Sequence, residues 1–236
     1  VLTRTAGFTN TPGKMWYPGT TLIQPSSVAG LTHALVQGST AKGVLNIRTP
    51  STAIGRNSAR SLADTPSGSS FYMSGLVKAN NLTTSLDVGD NAAMGLIRAI
   101  PLNTWNISSG MGLGLTRDSL GDVYLAAFAA GNVYKLGSKL TAAQAAETQL
   151  IVLKLDVDTS GNNDTLTAWV AQQGGENLTQ VFSVSDMDTG TAENLKTFVV
   201  QGQGANATIA GTGVYLDEFR FGTGLLDVTS ISERTR

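Results

Sequence analysis

Short runs of alternating apolar and polar residues recur along the chain, and Gly, Asn, Asp or Ser separates them. A period of two is typical of strands with one buried face. In residues 150–157, Ile151, Leu153, Leu155 and Val157 share one face, and Lys154 lies on the other. The pattern predicts strands at residues 44–49, 70–79, 94–100, 111–116, 122–129, 132–136, 149–158, 164–171, 180–185, 196–201 and 213–221.

Helical patterns are rare by comparison. Residues 141–148 predict a helix of about two turns, with Thr141 as its N-cap. A second short turn is expected at 191–195. Residues 130–132 predict a tight hairpin, since Gly accepts positive φ and Asn tolerates it, and 160–164 predict a longer one.

Strands that follow one another without intervening helices indicate an all-β, antiparallel β-sandwich of the jelly-roll type. We expect one domain over residues 1–236. Residues 1–65 hold several prolines and polar clusters, which predicts an extended opening that adds an edge strand or two. Residues 66–230 are expected to form the sandwich core, because the opening lacks the apolar set of a separate domain.

Composition excludes several classes of protein. The 236 residues are 41% hydrophobic and 14% charged, with a formal net charge of -1, one histidine and no cysteine. Balanced, sparse charge argues against nucleic-acid binding and against disorder. The lack of cysteine excludes disulfides and thiolate metal sites. No run of about 18 apolar residues predicts a membrane span.

The compartment is predicted from the same composition. Thr, Ser, Asn and Gly are abundant, whereas Lys and Glu are scarce. Residues 1–10 lack the charged and apolar regions of a signal peptide. We therefore expect a trimmed, exported protein that is extracellular or on a bacterial cell surface.

Four stretches carry a family resemblance. They are FYMSGLV at 71–77, MGLGL at 111–115, LIVLKLD at 150–156 with its GNNDTLTAWV hairpin at 161–170, and YLDEFRFGT at 215–223 with LDV at 226–228. They resemble the concanavalin A-like (laminin-G-like) jelly-roll domains of bacterial exported proteins, including those with PEP-CTERM-type sorting tails. The resemblance implies the fold. It implies function only weakly, because the fold hosts lectins, hydrolases, lyases and structural modules.

Catalytic signatures are missing. Hydrolases of this fold carry Glu-x-Asp-x-Glu on one strand, and the glutamates of this chain do not form that pattern. The lone His33 has no Gln-x-His partner, so we expect an ordinary polar or packing role for it.

Acidic turns are the candidate metal ligands. Asp156 and Asp158 begin a segment like the first half of a calcium loop, but Thr167 stands where the loop needs Glu. Asp87 and Asp90 form a second acidic turn. Both are candidate Ca²⁺ sites, and the alternative is a polar turn held by its own hydrogen bonds.

Asp217 is a further candidate, because it alternates with Tyr215, Phe219 and Phe221 and is therefore predicted on an apolar face. A carboxylate there must be paired, metal-bound or neutral. Glu218 and Arg220 are predicted on the opposite face, where they would pair. The preferred interpretation of Asp217 is a structural aspartate bonded to backbone or arginine.

Aromatic side chains are the candidate sugar contacts. Trp16 and Tyr17 lie in the irregular opening and are expected to be exposed, and Trp105 is a further candidate. Trp169 lies between apolar neighbours in a strand and is expected in the core.

The sequence supports three hypotheses about function. The first is a non-catalytic extracellular or cell-surface module that binds polysaccharide. The second is a structural subunit that assembles with copies of itself into a filament, sheath or surface layer through strand edges. The third is a polysaccharide lyase or hydrolase with an unfamiliar site.

Overall fold

The structure is a computed structural model of the chain. It describes residues 23–25, 30–36, 45–47, 56–61, 68–79, 86, 88–98, 110–158, 163–189, 195–202 and 213–229.

The described residues form thirteen strands and two short helices. The strands are β1 (Ile23–Pro25), β2 (Leu45–Ile47), β3 (Arg56–Ser61), β4 (Ser70–Ala79), β5 (Asn91–Arg98), β6 (Gly110–Arg117), β7 (Val123–Ala129), β8 (Asn132–Leu136), β9 (Gln149–Asp156), β10 (Asp164–Gln172), β11 (Thr179–Met187), β12 (Leu195–Gly202) and β13 (Val214–Gly222). The helices are α1 (Ala142–Ala146) and α2 (Leu225–Val228).

The strands build two antiparallel sheets. The seven-stranded sheet has the order β1-β2-β13-β4-β9-β10-β11, and the six-stranded sheet has the order β3-β12-β5-β6-β7-β8. In the seven-stranded sheet β13 lies between β2 and β4, and in the six-stranded sheet β12 lies between β3 and β5, so each sheet has a strand from late in the chain between two early ones. The predicted antiparallel jelly-roll sandwich is confirmed.

The main core lies between the two sheets. Met73 and Leu153 from the seven-stranded sheet and Met94, Leu113 and Phe198 from the six-stranded sheet have at most 1% of their surface exposed. Successive side chains of a strand point to opposite faces, so each of these strands alternates between the core and an outer face. Burial of this interdigitated apolar set is the main contribution to stability.

The predicted strands correspond to β2 and to β4 through β13, with shifted ends. Strand β5 begins at Asn91, three residues before the predicted start, because it pairs with β6 from Asn91↔Thr116 onwards. The strands β1 and β3 come from residues 1–65 and lie at sheet edges, where one or two strands were expected, but their positions and the helix α2 were not predicted from the pattern. Most of the turn expected at 191–195 lies outside the described residues.

The predicted N-cap of α1 is confirmed, whereas the β7–β8 hairpin differs from its prediction in which residues take positive φ. The Thr141 hydroxyl accepts the Gln144 N–H, and the Gln144 side chain accepts the Thr141 N–H, so the capping box is complete. In the β7–β8 hairpin, positive φ falls on Ala130 (49°) and Gly131 (83°), not on Asn132. Asn132 instead donates its side-chain amide to the Ala130 carbonyl.

The outer face of the seven-stranded sheet carries a second apolar cluster. Tyr72, Leu150, Trp169 and Tyr215 lie on it, and residues 30–36 and α2 pack over them. The buried Ser74 hydroxyl donates to the carbonyl of Val228 at 2.6 Å and so ties β4 to α2. Trp169 is 7% exposed, which confirms that it is buried, but it lies beneath this cover and not between the sheets.

Candidate functional site

The outer face of the six-stranded sheet has a floor of very small residues. One cross-strand row contains Ala93, Gly114, Ala126 and Lys135, and the next contains Gly95 and Gly112 beside Phe128. A Cβ on Gly114 would overlap the carbonyl oxygen of Ala92, so the close approach of β5 requires glycine there.

The centre of this face is closed to solvent, whereas the edge along β8 is open. Ala93, Ala126 and Phe128 have at most 1% of their surface exposed. Towards the β6–β7 hairpin, Tyr124 is half-buried and Lys135 is exposed. Val133, two residues before Lys135 on the same face of β8, is also exposed, so a ligand can meet this face along its β8 edge, where the corner lies.

Three side chains form the corner, which we call the Tyr124 corner (Tyr124, Lys135 and Asp118). The Lys135 Nζ lies 4.3 Å from the centroid of the Tyr124 ring and 2.7 Å from Asp118 Oδ2. Lys135 reaches the ring because it pairs with Ala126, which places it diagonally across from Tyr124. The cation therefore contacts an aromatic face and a carboxylate at once.

The hairpin that precedes β7 holds Asp118 in place. Asp118 Oδ1 accepts the backbone N–H groups of Leu120 and Asp122, both at 3.0 Å. Arg117 donates through Nε to the carbonyl of Gly121 and through Nη1 to that of Leu86. The carboxylate is thus fixed by backbone groups before any ligand arrives, which reduces the ordering cost of binding.

The corner stays charged over a wide pH range. The hydrogen bond from Lys135 lowers the pKa of Asp118, and the same bond raises the pKa of Lys135. A second ion pair follows along the same hairpins, where Lys139 Nζ lies 3.2 Å from Asp122 Oδ2. Each lysine in this region is therefore matched by an aspartate.

This arrangement offers the contacts that sugars use. An aromatic ring can contact the apolar C–H face of a sugar, while a fixed carboxylate accepts from one hydroxyl and an ammonium donates to its neighbour. Sequence analysis did not single out these three residues. The signal was available in part, because alternation puts Tyr124 on the same face as Ala126 and the hairpin sets Lys135 opposite Ala126.

The residues predicted from the sequence as sugar contacts are not among those that the structure describes. Trp16, Tyr17 and Trp105 are outside the described residues, and so is Asp87. Their predicted roles stay predictions.

The other calcium candidates within the described residues have partners in the protein itself. Asp156 Oδ1 forms an ion pair with Lys154 Nζ at 2.9 Å, and Asp158 Oδ2 accepts from the Asn163 side chain at 3.5 Å. Asp90 lies in the turn that pairs through its backbone with Arg117. Within the described ranges, no three His, Cys, Asp or Glu side chains come together as ligands would. Residues 159–162, which would complete the predicted calcium loop, are outside the described residues, so the calcium site and the polar turn both stay predictions for this segment.

Asp164 is the carboxylate that organises this turn, and sequence analysis did not predict its role. It is 2% exposed. Its Oδ1 accepts the backbone N–H of Asp158, and its Oδ2 accepts both the N–H and the hydroxyl of Thr189. A buried carboxylate with this many donors serves structure.

Asp217 was predicted to share a face with Tyr215, Phe219 and Phe221, and this prediction was wrong for the two phenylalanines. A bulge shifts the β13–β4 register between Asp217 and Arg220, and Glu218 takes φ of 48°. Phe219 and Phe221 consequently point into the main core, while Asp217 faces the outer side with Tyr215.

The structural role of Asp217 agrees with the preferred interpretation. Its Oδ2 accepts the N–H of Leu31 at 2.8 Å and its Oδ1 accepts the N–H of Glu218 at 2.9 Å, so it anchors residues 30–36 to the sheet. Burial raises the pKa of Asp217. The predicted pair is present, with Arg220 Nη2 3.0 Å from Glu218 Oε2.

His33 is a second anchor of residues 30–36. Its Nδ1 accepts the N–H of Leu35 at 3.2 Å, and its Nε2 lies 2.8 Å from the carbonyl oxygen of Gln172. A ring that accepts at Nδ1 and donates at Nε2 is neutral. Burial lowers the pKa of His33, which favours that neutral form. The expected packing role of His33 agrees with these contacts.

Comparison with known proteins identifies a fold and no family. No protein family and no curated protein matches the chain. Solved structures do match. The globular domain of T. cruzi calreticulin aligns with 92% of this chain and 86% of that chain, at 12% identity and a TM-score of 0.50.

Two further matches have lower TM-scores. The exoplasmic/lumenal domain of VIP36, in a Ca²⁺- and mannose-bound form, aligns at 11% identity with 89% of this chain and 92% of its own, with a TM-score of 0.48. A GH43 glycoside hydrolase aligns at 12% identity with 87% of this chain but 42% of its own, with a TM-score of 0.47. At such identities the likeness shows the β-sandwich fold alone.

The described residues contain no helix with the length and hydropathy that a membrane span requires.

Proposed function

We propose that this chain is a carbohydrate-binding module and that its ligand contacts the Tyr124 corner. The observation that carries the proposal is the arrangement of an aromatic ring, an ammonium and a backbone-fixed carboxylate within one exposed corner. The lectin-like fold is consistent with it, but a fold by itself does not define activity.

We propose further that the module binds without cleaving. Glycosidases need two carboxyl groups on either side of the scissile bond, one of them ready to donate a proton. Asp118 accepts from Lys135 and from two backbone N–H groups, and the pKa of its carboxyl is lowered by the Lys135 bond. Such a carboxylate is a poor general acid.

The proposed location is extracellular or at a cell surface. The support is compositional, since only 14% of the residues are charged. Bacterial export, a sorting tail and self-assembly remain predictions from the sequence.

Binding to a panel of immobilised polysaccharides, followed by calorimetry, tests the proposed function. Tyr124→Ala is expected to weaken binding about tenfold, since a sugar–aromatic contact contributes on the order of 1 kcal/mol or more. Tyr124→Phe keeps the ring and should retain most of the affinity. Leu226→Ala is the matched control, because Leu226 is 62% exposed on α2, which packs over the other sheet.

Two results would overturn the proposal. One is a wild-type protein that binds no polysaccharide in the panel. The other is Tyr124→Ala binding as tightly as the wild type, which would move the ligand contact away from the Tyr124 corner.

A further inference from the structure

We propose that the Asp118–Lys135 pair restricts this module to neutral glycans. The inference rests on the proposed function and adds the chemical class of the ligand. Two observations carry it. Within the described residues, Lys135 is the only cation that lies on the Tyr124 ring, and its ammonium is already bonded to the Asp118 carboxylate.

The charge of Lys135 is compensated where a ligand would meet it. Its Nζ is 2.7 Å from Asp118 Oδ2, and the neighbouring Lys139 is likewise paired with Asp122. Arg117 lies one residue further along β6 than Thr116, so it points to the opposite face of the sheet from Tyr124. The charges on the Tyr124 face of these hairpins therefore cancel in pairs.

An anionic sugar would face competition at this corner. Its carboxylate or sulfate would have to share Lys135 with Asp118, whose own negative charge would repel it at short range. Asp118 cannot turn away without losing its bonds to the N–H groups of Leu120 and Asp122. The repulsion is therefore built into the folded hairpin.

A neutral diol suits the same groups. One hydroxyl can donate to the Asp118 carboxylate, and the next can accept from Lys135, which has three donors and uses one of them on Asp118. Charged groups commonly bind hydroxyls more tightly than neutral groups do. Neither contact requires the ion pair to separate.

The test compares wild type, Asp118→Asn and Asp122→Asn on two panels. The neutral panel contains mannan, xylan and a β-glucan, and the anionic panel contains polygalacturonate, alginate and chondroitin sulfate. Asparagine keeps an oxygen that can accept from Leu120 and Asp122 while removing the charge that compensates Lys135. Asp122→Asn removes the same charge from the neighbouring pair, away from the ring, and is the matched control.

We expect the wild type and Asp122→Asn to bind the neutral panel in preference to the anionic one. Asp118→Asn should lose about tenfold in affinity for the neutral ligand, because a hydrogen bond to a charged acceptor is weakened. It should also gain binding to the anionic panel, and that gain should fall as salt is raised. Thermal unfolding of each variant checks that the fold is kept.

The outcomes separate the two proposals. Wild type that prefers anionic polysaccharides overturns the neutral-ligand inference and leaves carbohydrate binding in place. Asp118→Asn with an unchanged preference also overturns the inference. Wild type that binds neither panel overturns the proposed function and the inference with it.

Discussion

The two outer faces of the sandwich differ in the size of their side chains and in what lies on them. On the seven-stranded sheet, Tyr72, Trp169 and Tyr215 form an apolar face that residues 30–36 and α2 cover. On the six-stranded sheet, glycine and alanine of β5, β6 and β7 form the floor beside Phe128, and the charged groups of the Tyr124 corner lie at its exposed end.

The side chains on each outer face determine whether the chain must cover it. Large aromatics leave an apolar surface that must be buried, so the chain folds back over it. Ser74, Asp217 and His33 provide polar anchors for that cover. The Tyr124 corner has no described cover of this kind and keeps charged groups at the surface. The cover gives the first face a role in stability, and the second face is where we propose that the ligand makes contact.

Replacing one aromatic on each face is the strongest way to test this comparison. Trp169→Ala is expected to lower the free energy of unfolding by about 3–5 kcal/mol, because it removes a large side chain from a packed cluster. Tyr124→Ala should cost much less, since Tyr124 is half-buried and its ring lies beneath an exposed lysine. Chemical denaturation of both variants provides the measurement.

The two substitutions should affect glycan affinity in the opposite order to their effects on stability. Folded Trp169→Ala should keep its affinity for glycan, whereas Tyr124→Ala should lose it. If the two substitutions affect stability equally, or if Trp169→Ala abolishes binding while folded, the division of roles between the faces is wrong.

The tie between β4 and α2 gives the next largest effect. Ser74→Ala removes the donor to the buried Val228 carbonyl, and an unsatisfied buried acceptor costs about 1–3 kcal/mol. Ser138→Ala, at an exposed position of the β8–α1 connection, is the control and should be close to neutral. An unchanged unfolding midpoint for Ser74→Ala would mean that α2 does not depend on this bond.

The third test uses pH, because the chain has a single histidine. Burial lowers the pKa of His33 in the folded protein. Below the unfolded value of about 6.5, the unfolded chain binds this proton more readily than the folded one. Stability is therefore full above about pH 6.5 and declines as pH falls towards the lowered pKa, by at most about 1.4 kcal/mol per pH unit.

His33→Gln should flatten the unfolding free energy across that window, as measured by urea denaturation at several pH values. Asp217 contributes with the opposite sign, because burial raises the pKa of its carboxyl in the folded protein. For Asp217, stability increases as pH falls through the folded pKa towards about 3.9. A slope that persists in His33→Gln would contradict this assignment.

The smallest expected effect is that of metal removal. At the Tyr124 corner the Asp118 carboxylate is already bonded to Lys135 and to the N–H groups of Leu120 and Asp122, so EDTA should leave glycan affinity unchanged. A loss of binding that added Ca²⁺ restores would contradict this and direct attention to the acidic turn at Asp87.

Much of the fold could be predicted from the sequence, because alternation reports burial directly. Residues 150–157 show this, since Ile151, Leu153 and Leu155 face the core as predicted. An edge strand was expected from the opening, but the position of β3 was not predicted because Arg56–Ser61 is mostly polar, and only pairing with β12 makes it a strand. The helix α2 is a single turn whose cap comes from Asp227 and not from an N-cap side chain.

The site was harder to predict, because it depends on register across strands. Lys135 meets Tyr124 only when the β7–β8 hairpin turns at Ala130 and Gly131. The face of Phe219 was wrong because a bulge at Glu218 inserts one residue, and a strict period of two does not allow for it. Long-range anchors such as Asp217 with Leu31 join positions 186 residues apart and leave no local pattern.

The most direct test of the account is an NMR titration of the backbone amides with a neutral oligosaccharide taken from the polysaccharide that binds. We expect the largest shifts in residues 117–124 and 133–137, around the Tyr124 corner, and no comparable shifts in residues 30–36 or α2. Shifts centred on residues 30–36 and α2, with the hairpin residues unmoved, would contradict the account.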